Sequence, residues 1–126
     1  MRTAARMSGI NRFTIGGIAA VTLAVLGGAS VPRAEDTITG EVVDLTCYLR
    51  APGVTGPAHQ KCASTCAKKC PMGIVSKDGK VVLLLEDHDA PKPYADAISR
   101  VAQTIAVEGD AVTQGGLPGI VVEAVK

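Results

Sequence analysis

The chain has 126 residues, a formal net charge of +1 and 47% apolar residues, with no Trp, one Phe and four Cys. Four of its thirteen basic residues precede Glu35 and all twelve acids lie from Glu35 onward, so residues 35–126 carry a net charge of −3. That balance argues against a nucleic-acid binder, which needs a basic face, and the length beyond residue 34 allows one domain and no more.

Residues 1–12 hold Arg2, Arg6 and Arg12 and no acid, and Phe13 to Pro32 carries no charge, with an apolar run from Ile15 to Leu26. Small residues follow (Gly27, Gly28, Ala29, Ser30), and Ala34 precedes Glu35-Asp36. Basic, then apolar, then small is the order of a secretory signal peptide, here assigned to residues 1–34. Cleavage is placed after Ala34, with Ser30 as the alternative. The competing reading is an uncleaved N-terminal anchor, since the uncharged stretch approaches the roughly 18 residues of a membrane span. Asn11-Arg12 supplies one arginine where a twin-arginine signal needs two. The expected location is the periplasm or the medium, with no membrane contact beyond the leader.

Residues 35–126 form the expected domain. Its only aromatics are Tyr48 and Tyr94, so the core must come from Val, Ile, Leu and Ala. A domain this small gains from covalent or metal cross-links. Thr37 to Thr46 is β-branched and partly alternating and reads as a first strand running into Cys47. Arg50 to Ala58, with two Pro and two Gly, reads as a loop. His59 to Lys69 reads as a short helix stopped by Pro71. Ile74-Val75-Ser76 and Val81 to Leu85, joined by Lys77-Asp78-Gly79-Lys80, form the clearest hairpin. Asp87 to Pro93 is a loop, and Tyr94 to about Ala102 a second helix. Gln103 to Glu108 is a strand, Gly109-Asp110 a turn, and Ala111 to Gln114 the start of another strand. After the Gly115–Gly119 turn, Ile120 to Val125 closes the domain. Five or six short strands with two short helices predict a β-rich, small OB-like, partly open barrel.

The chemistry concentrates in Cys47 and in His59-x-x-Cys62-x-x-x-Cys66-x-x-x-Cys70. Behind an export signal such a cluster is a disulfide framework, a soft-metal site or a redox pair. On a helix turning about 100° per residue, His59, Cys66 and Cys70 lie within roughly 80° of Cys62, on one side. Cys47 reaches that side if the loop folds back. Cys47, His59, Cys62 and Cys66 then compose an N,S₃ set suited to zinc or copper, with Cys70 as a spare or replacement thiol. Disulfides compete. Within a continuous helix Cys62 and Cys70 stand roughly 12 Å apart, beyond reach of a bridge. Bridges 62–66 and 66–70 span roughly 6 Å but point poorly. Cys47 to Cys62 or Cys66 is the easiest bridge, stabilising by roughly 3 kcal/mol through a closed loop of about 15–19 residues.

No Cys-x-x-Cys, haem motif, Ser/His/Asp set or phosphate loop occurs, so no enzyme class is indicated. Asp87-His88-Asp89 is a weaker metal candidate, and Asp44 reads as a strand-end residue facing water, with orientation of a ligand near Cys47 as the alternative. The partners left open are a transition metal ion and another exported protein.

Val42-Val43-Asp44-x-x-Cys47-Tyr48, His59-x-x-Cys62-Ala63-x-x-Cys66-Ala67, Pro71-x-Gly73 and the Val107-x-Gly109-Asp110…Gly116-Leu117-x-x-Ile120-x-Val122 ending together resemble small exported bacterial OB-fold-like proteins. The resemblance covers nearly all of residues 35–126. It implies a barrel and no activity, and Cys70 stands where that pattern has a small residue.

Overall fold

The structure is a computed structural model that describes residues 35–51 and 53–126. The leader expected over residues 1–34 lies outside the described residues. No helix among the described residues is long and apolar enough to cross a membrane.

Five strands close into a barrel. Strand β1 (Asp36–Asp44) pairs antiparallel with two neighbours. Its first half meets β4 (Thr104–Gln114) through Asp36–Glu41, and its second half meets β2 (Met72–Val75) through Glu41–Asp44. Glu41 sits at the changeover, opposite both Val75 and Thr104. The strand can bend there because Gly40 has no Cβ, which would collide with the Val75 carbonyl oxygen. β2 turns through Lys77–Lys80, with Gly79 at φ +80°, into β3 (Val81–Leu85). β3 then pairs parallel with β5 (Leu117–Val125). A parallel pair needs a long crossover, supplied by the intervening helix and β4. The order β1-β2-β3-β5-β4 is that of an OB-like barrel.

The barrel differs from the expected one in being closed rather than partly open. β1 bonds at both of the edges that would otherwise remain free. It has five strands because β4 runs straight through Gly109-Asp110, where the sequence suggests a turn. Gly109 serves a close approach instead. A Cβ there would collide with the Val121 carbonyl, and the β4–β5 register skips Glu123 at a bulge beside it.

Three short helices decorate the barrel rather than two. The additional one, α1 (Leu45–Arg50), replaces the end of the expected first strand. Asp44 accepts the Cys47 N–H at 2.9 Å and so starts a helix where the β-branched pattern alone suggests more strand. The expected helix over His59–Lys69 is a 3-10 turn (Pro57–His59) followed by α2 (Gln60–Cys66). The third, α3, spans Lys92–Ser99 and starts earlier than Tyr94, because Pro93 is tolerated in a first helical turn.

Val42, Ile74, Val107, Ile120 and Val122 are fully buried and fill the interior. Ala63 of α2 and Ala67 just after it, with Ala97 of α3 and Val101, extend the same core. Outside, Leu49 and Leu117 remain 74% and 59% exposed and border an apolar groove of about 390 Å³ with Leu45, Pro71, Val81 and Leu83.

Ala102 links α3 to β4 at φ +62°. Its N–H donates to the Val42 carbonyl at 2.8 Å, fixing the linker onto β1. A left-handed alanine is strained by roughly 1–2 kcal/mol, part of which glycine returns as lost chain entropy. Ala102→Gly is therefore expected to stabilise the protein by about 0.5–1 kcal/mol, read as a higher denaturant midpoint at unchanged slope.

Candidate metal centre

The centre forms where β1 runs out and three short segments return to its end. Asp44, the last residue of β1, caps α1 and thereby sets Cys47 one turn into that helix. The loop after α1 is pinned by Glu41, whose carboxylate accepts the Gly56 N–H. Gly56 takes φ +77° and its carbonyl accepts the His59 N–H at 3.0 Å, so the chain reverses and carries His59 back to Asp44. α2 and the residue that caps it then lay Ala63 and Ala67 on the core. Cys62 and Cys66 each immediately precede one of these anchors and so flank the buried face. Past the helix, the N–H groups of Lys69 and Cys70 both donate to the Cys66 carbonyl at 2.8 Å, which folds Cys70 back beside Cys66. The Pro71 carbonyl accepts the Leu45 N–H at 2.9 Å and ties this turn to the start of α1.

All four cysteines are free thiols; Cys62 is exposed and the other three are half-buried. Among the described residues, two groups bring three ligand atoms within 4.8 Å of one another. The first is Cys47, His59 and Cys62. The second is Asp44, Cys66 and Cys70. The five residues singled out from the sequence therefore converge at one place but divide between two groups. Cys66 stands with Cys70 and Asp44 instead of joining the first group within that distance.

Asp44 does end β1, but it does not face water. It is 1% exposed, a correction to the expectation from the sequence. Its Oδ1 accepts the Cys47 N–H, and its Oδ2 lies 3.4 Å from His59 Nε2. Burial works to raise the Asp44 pKa, but the bonds from the Cys47 N–H, His59 and the Cys47 thiol outweigh it, and the carboxyl is held below its ordinary value. The exposed reading was favoured over a ligand-orienting one because polarity at a strand terminus ordinarily means exposure. The available signal was Asp44 three residues before Cys47, the spacing of a capping bond.

The same carboxylate acts on the thiols. The Cys47 thiol is pushed up to about 12, first by its hydrogen bond to Asp44, then by burial and by the Cys62 thiol. The Cys66 thiol is raised by its bond to Cys70, then by burial and by the negative charge around it. Both are neutral thiols near pH 7 in the metal-free protein. A raised folded-state pKa supplies stability that is present in full below the unfolded value and fades as pH climbs through the folded one. The metal-free, reduced protein should accordingly lose thermal stability between about pH 9.0 and about 12. The slope of its melting temperature over that window should be shallower in Cys47→Ser.

Asp87-His88-Asp89 forms a local turn, with the Asp89 N–H on Asp87 Oδ1 at 2.9 Å. His88 and Asp89 are exposed. This segment contributes to neither of the two groups.

Fold and site together define a small closed barrel carrying Cys/His/Asp groups able to hold a metal ion. Comparison of the chain with known protein families, with curated proteins and with solved structures returned no match.

Proposed function

We propose that this chain is a non-enzymatic binder of a soft or borderline transition ion, zinc or copper, held by Cys47, His59 and Cys62. Cys66, Cys70 or solvent completes the coordination. The observation that carries this reading is the convergence of two sulfurs and one imidazole nitrogen within 4.8 Å, from α1 and from the His59–Cys62 stretch that returns to it. Two thiolates and a neutral imidazole suit the softness of both metals. The basic, apolar and small-residue order of residues 1–34 supports delivery to the periplasm or the medium by a cleaved leader. The domain would then take up its ion outside the cytoplasm. The motif resemblance to small exported bacterial OB-fold-like proteins fits the same location.

A rival reading is a disulfide-stapled module that docks another exported protein or a small ligand. The exposed apolar groove beside Leu49 and Leu117 favours it. Intact mass measurement of the natively produced protein separates the two. Four free thiols with stoichiometric zinc or copper support the metal reading. A mass lower by four hydrogens with no ion overturns it in favour of the staple. His59→Ala adds a second discriminator: the metal reading expects the bound ion to be lost or its affinity to fall, whereas the stapled module would be unaffected.

A further inference from the structure

Asp44, Cys66 and Cys70 are left over once Cys47, His59 and Cys62 hold an ion, and they do not look like spectators. Their ligand atoms lie within 4.8 Å of one another, as tightly grouped as the first set. They come from the end of β1, the last residue of α2 and the turn after it. The turn is drawn in by two backbone bonds to Cys66 and one between Leu45 and Pro71. Nothing in a generic loop requires Cys70 to be folded onto a buried carboxylate.

The carboxylate itself is the independent observation. Asp44 is 1% exposed, and the sole cation-capable side chain that reaches it among the described residues is His59. That contact, at 3.4 Å, is well outside the roughly 2.7–2.9 Å of a good ionic hydrogen bond. Each carboxylate oxygen offers two lone pairs, so Oδ2 retains acceptor capacity in a place without water-like solvation. A single dication at the first group balances the Cys47 and Cys62 thiolates and leaves the Asp44, Cys66 and Cys70 donors grouped beside it without an ion. Buried charges that persist are paired or coordinate metals.

Resting on the metal reading above, we propose that the centre takes two ions: one at Cys47–His59–Cys62 and a second at Asp44–Cys66–Cys70. Asp44 is the wall between them, a ligand of the second ion and an orienting partner for His59 in the first. The oxygen ligand also selects the metal. A hard carboxylate beside two thiolates suits zinc, which accepts Cys, His and Asp alike. Copper(I) is instead selected by soft thiolate and thioether ligands. The proposal is therefore a paired zinc centre. Binding replaces the thiol protons with the ion and releases them to solvent.

The test is a zinc titration of the full chain under reducing conditions, read by native mass spectrometry, with cadmium-113 resonances counted on a parallel sample. Two ions per chain and two cadmium resonances are expected. The Cys66→Ser/Cys70→Ser double variant should keep one ion, and Asp44→Asn should weaken the second ion by about 10–100-fold. One ion in the unaltered chain overturns the paired centre and leaves the single-ion reading standing. No ion at all overturns both. Two ions persisting in the double variant overturn the placement of the second site. Because the unaltered chain alone distinguishes two, one and none, a variant that fails to fold does not remove the test.

Discussion

Asp44→Ala is expected to destabilise the metal-free protein by about 2–3 kcal/mol, whereas Asp44→Asn is expected to stay within about 1 kcal/mol of the parent. Asp44 caps α1 through the Cys47 N–H, and loss of such a cap costs about 0.5–2 kcal/mol. Alanine also leaves a partly buried N–H without its acceptor and empties space beside His59, adding about 1 kcal/mol or more. Asparagine keeps an oxygen for the cap and is as good an N-cap as aspartate. The two variants thus separate geometry from charge. In chemical denaturation only Asp44→Ala should shift the midpoint strongly. In metal titration both should bind more weakly, because both remove the negative charge that faces His59 and the thiols. Equal destabilisation by the two variants would show that the charge, and not the cap, holds the metal-free fold together.

Loading the centre is expected to raise the melting temperature by about 15–30 °C, and a chelator should reverse the change. An ion present at about a thousand times its dissociation constant adds about 4 kcal/mol to the folded state. In a domain of this size each kcal/mol moves the midpoint by about 4–8 °C. The effect is large here for a structural reason. The described residues contain two tyrosines and no larger aromatic side chain, and α2 with its C-cap residue touches the core mainly through Ala63 and Ala67. Alanine buries little apolar area, so the interior holds the returning segment weakly. The side chains that would clamp it to β1 are those of the metal centre. A shift of only a few degrees at saturating zinc would mean that the ion sits at a surface site unconnected to the fold.

Much of the barrel was legible because its signals are local. The Lys77–Lys80 turn with Asp78-Gly79, the apolar run Val81–Leu85 and the alternation through Ile105 and Val107 each require only a few neighbouring residues to be read. The grouping of His59, Cys62, Cys66 and Cys70 was legible for the same reason, since they lie within one short stretch, whereas Cys47 joins them only because the loop after α1 folds back. What escaped notice needed a second segment of chain. Gly109 looks like a turn until β5 is laid across it and the Val121 carbonyl occupies the space of a Cβ. Leu45-Thr46 is a different case: the signal is local, in the Asp44 cap three residues before Cys47, but it is masked by the strand pattern that precedes it. Pro91 and Pro93 obscure the start of α3 because proline marks both loops and first helical turns.

The sequence by itself determined the candidate ligand types, the close spacing of four of them over residues 59–70, the β-rich character of residues 35–126 and the hairpin. These follow from side-chain chemistry and local periodicity, which act over a few residues. Only the tertiary structure decided how the thiols are shared. Closure of the barrel brings Asp44, at the end of β1, against both α1 and the turn after α2. There the strand-end carboxylate is buried, held by the Cys47 N–H and His59, and grouped with the Cys66 and Cys70 thiols. Spacing along the chain cannot express that change, because the desolvation of one side chain is set by segments that lie many residues away.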